Sequence, residues 1–94
     1  MDNNLVRAEI LVSGLVQGVG FRYFVITNAE RLKLTGFTQN LYSGEVLTVA
    51  EGPKNDIDTL FELLKNGPSR AHVTTCKIRL EEYTGEFNNF RVKH

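Results

Sequence analysis

Apolar and polar positions alternate from Val6 to Val12, with Val6, Ala8, Ile10 and Val12 on one face and Arg7 and Glu9 on the other. A period of two predicts a strand with one buried face. The chain then runs through Ser13-Gly14-Leu15-Val16-Gln17-Gly18-Val19-Gly20, a glycine-rich loop. From Phe21 the period becomes helical. Phe21, Phe24, Val25, Asn28, Ala29 and Leu32 share a face, with Glu30, Arg31 and Lys33 outside it. That spacing predicts a first helix from about Phe21 to Lys33. Gly36 to Asn40 and Glu45 to Glu51 are strand-like, and Leu41-Tyr42-Ser43-Gly44 between them carries a turn signal. The pair predicts a hairpin.

Gly52-Pro53 marks the entrance of a second helix, with Pro53 expected at the first helical position. Ile57, Leu60, Phe61 and Leu64 form its buried stripe. Asp56 and Asp58 are expected in its first turn and Lys65 in its last, as the helix dipole favours. Asn66-Gly67-Pro68 stops it. Cys76, Ile78 and Leu80 alternate with Lys77, Arg79 and Glu81 in a fourth strand. Thr84-Gly85-Glu86 turns the chain into a last short strand around Phe87 to Val92. The order β-α-β-β-α-β plus a terminal strand predicts an α+β fold, the ferredoxin-like split βαβ sandwich. Its two helices cover one face of a mostly antiparallel sheet. The first two strands run parallel with the third between them. The glycine loop and Asn40 therefore end at the same edge of the sheet.

Length and charge narrow the picture. A chain of 94 residues is expected to form one domain spanning 1–94. Eleven basic and eleven acidic side chains cancel, which argues against an extended phosphate backbone as partner. An RNA-recognition domain shares this plan but stacks bases on aromatics of its central strands. Val6 to Val12 has none. One cysteine suits a reducing compartment and forms no disulfide framework. The longest apolar run, Tyr23 to Ile26, spans no membrane. Met1-Asp2-Asn3-Asn4 lacks the start of a signal peptide. These features predict a cytoplasmic monomer.

The chemistry concentrates between Gly14 and Arg22. Glycines let successive N–H groups point into one concavity, an anion nest. The loop also feeds a helix N-terminus, which favours negative charge. An arginine in that first turn is unfavourable unless an anion offsets it. Phosphate fits, because a guanidinium grips two of its oxygens. The spacing matches neither a dinucleotide fingerprint nor a Walker loop. Spacing alone leaves two readings, an anion site and an ordinary strand-to-helix turn with a surface arginine.

The loop offers no cysteine, aspartate or histidine as nucleophile between Gly14 and Arg22. His72 and His94 stand alone in the sequence, Cys76 has no second thiol, and no metal-ligand cluster is spelled out. Glu81 and Glu82 are strand neighbours and point to opposite faces. A site with donors only cannot protonate a poor leaving group. It suits an acyl phosphate, whose departing carboxylate has a pKa near ~4. Water is then the nucleophile and needs positioning more than activation. The amide of Asn40 can position it.

Gly14-Leu15-Val16-Gln17-Gly18-Val19-Gly20-Phe21-Arg22 resembles the acylphosphatase signature, which here begins at Val12. Gly36-Phe37-Thr38-Gln39-Asn40, with Gly44, Val46 and Gly52 following, resembles that family's second signature. The resemblance implies that Arg22 binds phosphate and Asn40 orients water. It implies a cradle of backbone amides from Gln17, Gly18, Val19, Gly20, Phe21 and Arg22, with no metal or cofactor. It also implies hydrolysis of a small-molecule acyl phosphate to a carboxylate and inorganic phosphate. Both Arg22 and Asn40 are present, which argues against a catalytically silent domain. Thr38 departs from the small apolar residue usual at its place, and its hydroxyl needs a partner if buried.

Other residues carry blander expectations. Cys76 is read as a small core residue. Tyr23 and Tyr42 flank the expected site, either as acyl contacts or as ordinary surface aromatics. His72 is expected at a loop or strand start, and Gln17 to act mainly through its backbone N–H.

Overall fold

The computed structural model describes residues 4–94, so the leader-free start read from Met1, Asp2 and Asn3 lies outside the described residues. The elements run β1 (Leu5–Leu15), α1 (Phe21–Arg31), β2 (Thr35–Asn40), β3 (Val46–Pro53), α2 (Lys54–Asn66), β4 (His72–Glu82) and β5 (Phe90–Val92). One five-stranded sheet has the order β4-β1-β3-β2-β5. β3 pairs antiparallel with both β1 and β2, so those two run parallel as expected. β5 pairs parallel with β2, bringing Thr38 opposite Val92.

The alternation in β1 is used as read. Ala8, Ile10 and Val12 are fully buried. They meet Phe21, Val25 and Ala29 of α1 and Ile57, Leu60 and Leu64 of α2 in one core. Filling that space with branched and aromatic side chains removes apolar surface from water, worth about 25 cal/mol per Å². Thr38 and Thr48 lie fully buried on the same sheet face, and their hydroxyls bond each other at 3.0 Å. Thr38 thus finds its partner one strand away, on β3.

Several boundaries differ from those predicted. α1 stops at Arg31, two residues early. Lys33 has φ 60, its N–H donates to Glu30 O, and that of Leu34 donates to Ala29 O at 2.9 Å. This is a Schellman end with a lysine where glycine is usual. Pro53 precedes α2 as its cap instead of occupying its first turn, because its extended ψ of 139 ends β3. Asp58 therefore falls in the second turn, where its carboxylate pairs with Lys54 at 3.0 Å. Glu45 closes the hairpin turn instead of starting β3, accepting the Leu41 N–H on its carbonyl at 2.8 Å. Phe87 lies outside β5. Its ring meets Phe37 edge-on at 5.9 Å.

β4 and β5 occupy opposite edges of the sheet, so residues 83–89 must cross four strand spacings, about 19 Å. Seven residues reach at most about 25 Å. The crossing runs over the face without helices, fastened to a buried carboxylate. Glu51 accepts the backbone N–H groups of Thr84 and Gly85, both at 2.9 Å, and the Thr84 hydroxyl at 2.7 Å. Arg7 joins it at 3.3 Å and stacks on Phe87 at 5.0 Å. Burial pushes the Glu51 carboxyl up, but the hydrogen bonds from Thr84, Gly85 and Arg7 outweigh it and hold the group below its ordinary value.

Candidate active site

The loop between β1 and α1 is pinned at both ends by buried side chains, Val16 and Phe21, each 1% exposed. Between them Gly18 has φ 76 and Gly20 φ 78. A Cβ on either would touch nothing within 4 Å. Glycine is therefore required by the left-handed backbone and not by crowding. Left-handed residues at alternate positions turn N–H groups toward one side, as a nest requires. Gly20 caps α1 without a side-chain hydrogen bond, and no acidic residue stands in the first turn. The first N–H groups of the helix thus have no side-chain acceptor.

Arg22 rises from that first turn, half-buried. Among the described residues it forms no side-chain hydrogen bond or ion pair. Asn40 ends β2 at the same sheet edge. Its Oδ1 is buried and has no hydrogen-bond partner among the described residues. Leaving a buried acceptor unmatched costs about 1–3 kcal/mol. Gly18, Gly20, Arg22 and Asn40 line one cavity of about 330 Å³. The fold therefore brings together the loop, the arginine and the amide that the sequence singled out. Val19 lies beside them, packed against the core.

Gln17 does more than its backbone suggests. Its Nε2 donates to Leu41 O at 2.8 Å and to Glu45 O at 2.9 Å. The Ser13 hydroxyl donates to the Glu45 carboxylate at 3.0 Å. Bonds from Ser43 and then Ser13 hold that carboxyl below its usual range. These contacts lock the hairpin turn to the loop. They thereby set Asn40 relative to the nest.

His94 was read as isolated, yet it borders this cavity and a second one of about 670 Å³ lined also by Gln17, Asn40 and Tyr42. The register explains its place. Thr38 pairs with Val92, the last residue of β5, and the chain past it brings His94 to the cavity that Asn40 also lines. Only the parallel pairing of β5 could have revealed this. Tyr23 borders the first cavity and Tyr42 the second, both largely exposed. Cys76 sits half-buried in β4, where burial pushes its thiol up to about 11. It packs against the core as expected and is no thiolate at neutral pH.

A split βαβ sandwich with a glycine nest opening its first helix, and an arginine and an asparagine converging on it, defines a class of small α+β domains with a site suited to an anion. The acylphosphatase sequence profile matches residues 8–92. An acylphosphatase of Moorella thermoacetica is 44% identical over 90 residues, covering 96% of each chain. The crystal structure of acylphosphatase from Bacillus subtilis superposes with a TM-score of 0.91 at 36% identity, covering 95% of this chain and 99% of that one. An acylphosphatase structure from Coxiella burnetii gives 0.90 at 39% identity, covering 96% and 94%. The chain belongs to the acylphosphatase family. Among the described residues no group of three His, Cys, Asp or Glu is placed to hold a metal ion. No helix of the described residues is long and apolar enough to cross a membrane.

Proposed function

We propose that this chain hydrolyses acyl phosphates by direct attack of water on phosphorus, within a single domain carrying the whole site. The phosphate sits in the nest of N–H groups from Gln17 to Arg22, and the Arg22 guanidinium grips two of its oxygens. Asn40 accepts a hydrogen bond from water and aims its oxygen at phosphorus. The bond from phosphorus to the acyl oxygen breaks, and that oxygen leaves as a carboxylate needing no proton. The new bond joins water's oxygen to phosphorus; one of its protons stays on that oxygen and the other passes to a phosphoryl oxygen. The products are a carboxylate and inorganic phosphate. The N–H groups and guanidinium stabilise charge that spreads over the equatorial oxygens.

The observation that carries this reading is the shared cavity. It joins an arginine and a buried amide oxygen that both lack a partner among the described residues. The buried Asn40 oxygen is costly unless a ligand or water completes it, and the half-buried Arg22 guanidinium is left free for an anion.

The reading is tested with acetyl phosphate in the presence of a chelator. Arg22→Ala is expected to lose turnover by about 10³-fold and the stabilisation by inorganic phosphate together. Asn40→Ala is expected to lose turnover by a similar factor while phosphate still raises Tm. Oxygen-18 from solvent should enter phosphate. Label found only in the carboxylate would exclude attack at phosphorus.

A further inference from the structure

The proposed mechanism gives no part to the carboxylate of Glu45. Its neighbour Val46 is fully buried and pairs with Val12 of β1 on one side and with Asn40 of β2 on the other. The strand that leads to the glycine loop and the strand that ends on Asn40 are therefore joined through one residue of β3. Glu45 stands immediately before that residue, where the hairpin turn enters β3.

Every polar group of Glu45 is engaged. Its carbonyl accepts the Leu41 N–H at 2.8 Å and Gln17 Nε2 at 2.9 Å. One carboxylate oxygen accepts the Ser13 hydroxyl at 3.0 Å, and the other accepts the Ser43 hydroxyl at 2.7 Å. Its N–H donates to Ser43 Oγ at 3.3 Å. Ser13 is the last residue of β1 before its register with β4 shifts. Gly14 follows with φ 123, and a Cβ there would strike the His72 carbonyl. The chain thus departs for the glycine loop directly after the residue that Glu45 holds. A carboxylate suits this place, because two hydroxyl donors need two acceptors. An amide supplies one acceptor and sets a donor against the other hydroxyl. The bonds from Ser43 and Ser13, and then the charge of Lys77 on β4, favour the ionised form. Neither Ser13 nor Glu45 lines the two cavities that Asn40 borders, so neither meets substrate.

We propose that Glu45 is a positioning residue for the reaction: its carboxylate clasps Ser13 at the end of β1 to Ser43 in the hairpin turn and so holds Asn40 in register with the nest. The proposal rests on the acyl phosphate reading and deepens it. Without the clasp the nest still receives phosphate, but the amide that aims the water drifts from it. Small misplacements of this kind slow a reaction about 10-fold or more without weakening binding.

The experiment measures kcat and KM for acetyl phosphate, and the Kd of inorganic phosphate by calorimetry. It compares wild type, Glu45→Ala, Glu45→Gln, Ser13→Ala and the double variant Ser13→Ala/Glu45→Ala, at a temperature where circular dichroism shows each of them folded. Glu45→Ala is expected to lower kcat about 10-fold while KM and the phosphate Kd stay within about twofold. Glu45→Gln keeps one acceptor and should lose only about threefold. The double variant should fall no more than about twofold below Glu45→Ala, because both substitutions cut the same clasp. The side-chain amide resonances of Asn40 in nitrogen-15-labelled protein should move in Glu45→Ala and move less in Glu45→Gln. An unchanged kcat in Glu45→Ala overturns the proposal. So does a loss of phosphate affinity equal to the loss of kcat, which would make Glu45 a support of the nest alone. Effects of Ser13→Ala and Glu45→Ala that multiply overturn it as well. Wild type that hydrolyses no acyl phosphate, while the Asn40 resonances still move in Glu45→Ala, overturns the reaction and leaves the clasp standing.

Discussion

The hydroxyls of Thr38 and Thr48 are buried together and satisfy each other at 3.0 Å. Such a pair is worth little net, but either hydroxyl alone is expensive. Thr38→Val should cost roughly 1–2 kcal/mol, and adding Thr48→Val should recover most of it. Urea midpoints of the two single variants and the double variant check this. In the proposed mechanism Gln17 acts on turnover through position. Gln17→Ala removes both bonds to the hairpin turn and should lower kcat about 10-fold with a smaller change in KM. An unaltered kcat would show that the nest and Asn40 are aligned without it. At this scale the meeting of Arg22 and Asn40 at one cavity was legible because both stand in local motifs that the topology brings to one sheet edge. The contacts of the Gln17 side chain and the place of His94 were not. Each depends on which remote backbone a side chain meets, and no local pattern encodes that.

Elements were legible where their pattern is long. β1 and α2 carry a strong period, and the buried faces of both are those the period assigns. Ends were less so. Leu32 and Lys33 continue the helical composition of α1, yet Lys33 turns left-handed so that Leu34 can enter the core. A lysine in that region costs about 1–2 kcal/mol, which glycine avoids at some loss of unfolded-chain entropy. Lys33→Gly should therefore raise stability by up to about 1 kcal/mol, read as a higher urea midpoint. β5 was anticipated as a strand but not as a neighbour of β2. Three residues carry too little pattern to choose a partner. Phe87 is apolar for the sake of the Phe37 ring and the Arg7 guanidinium, not for a ladder.

Across the whole molecule, the crossing over residues 83–89 ties the two sheet edges together through Glu51. A carboxyl held below its unfolded value of about 4.3 stabilises the fold fully above that pH. The contribution fades as pH falls through the lower folded value. Tm should thus be level in this respect near neutrality and fall below about pH 4. Glu51→Gln should cost roughly 1–3 kcal/mol at pH 7, since the Thr84 and Gly85 donors lose a charged acceptor while Arg7 keeps Glu81 and Glu86. It should also flatten the acid limb of the Tm profile. A Tm profile identical in the variant would remove Glu51 from that role. The strand that this crossing delivers is only three residues long and pairs on one side alone. Short edge strands open at lower free energy than the body of a sheet. The amide of Lys93 should therefore exchange with deuterium orders of magnitude faster than that of Ile10, in the middle of the sheet. Each such opening of the strand end removes Val92 and His94 from the cavity while β1, β3 and the two helices stay packed. The binding site therefore has a shorter lifetime than the fold that carries it.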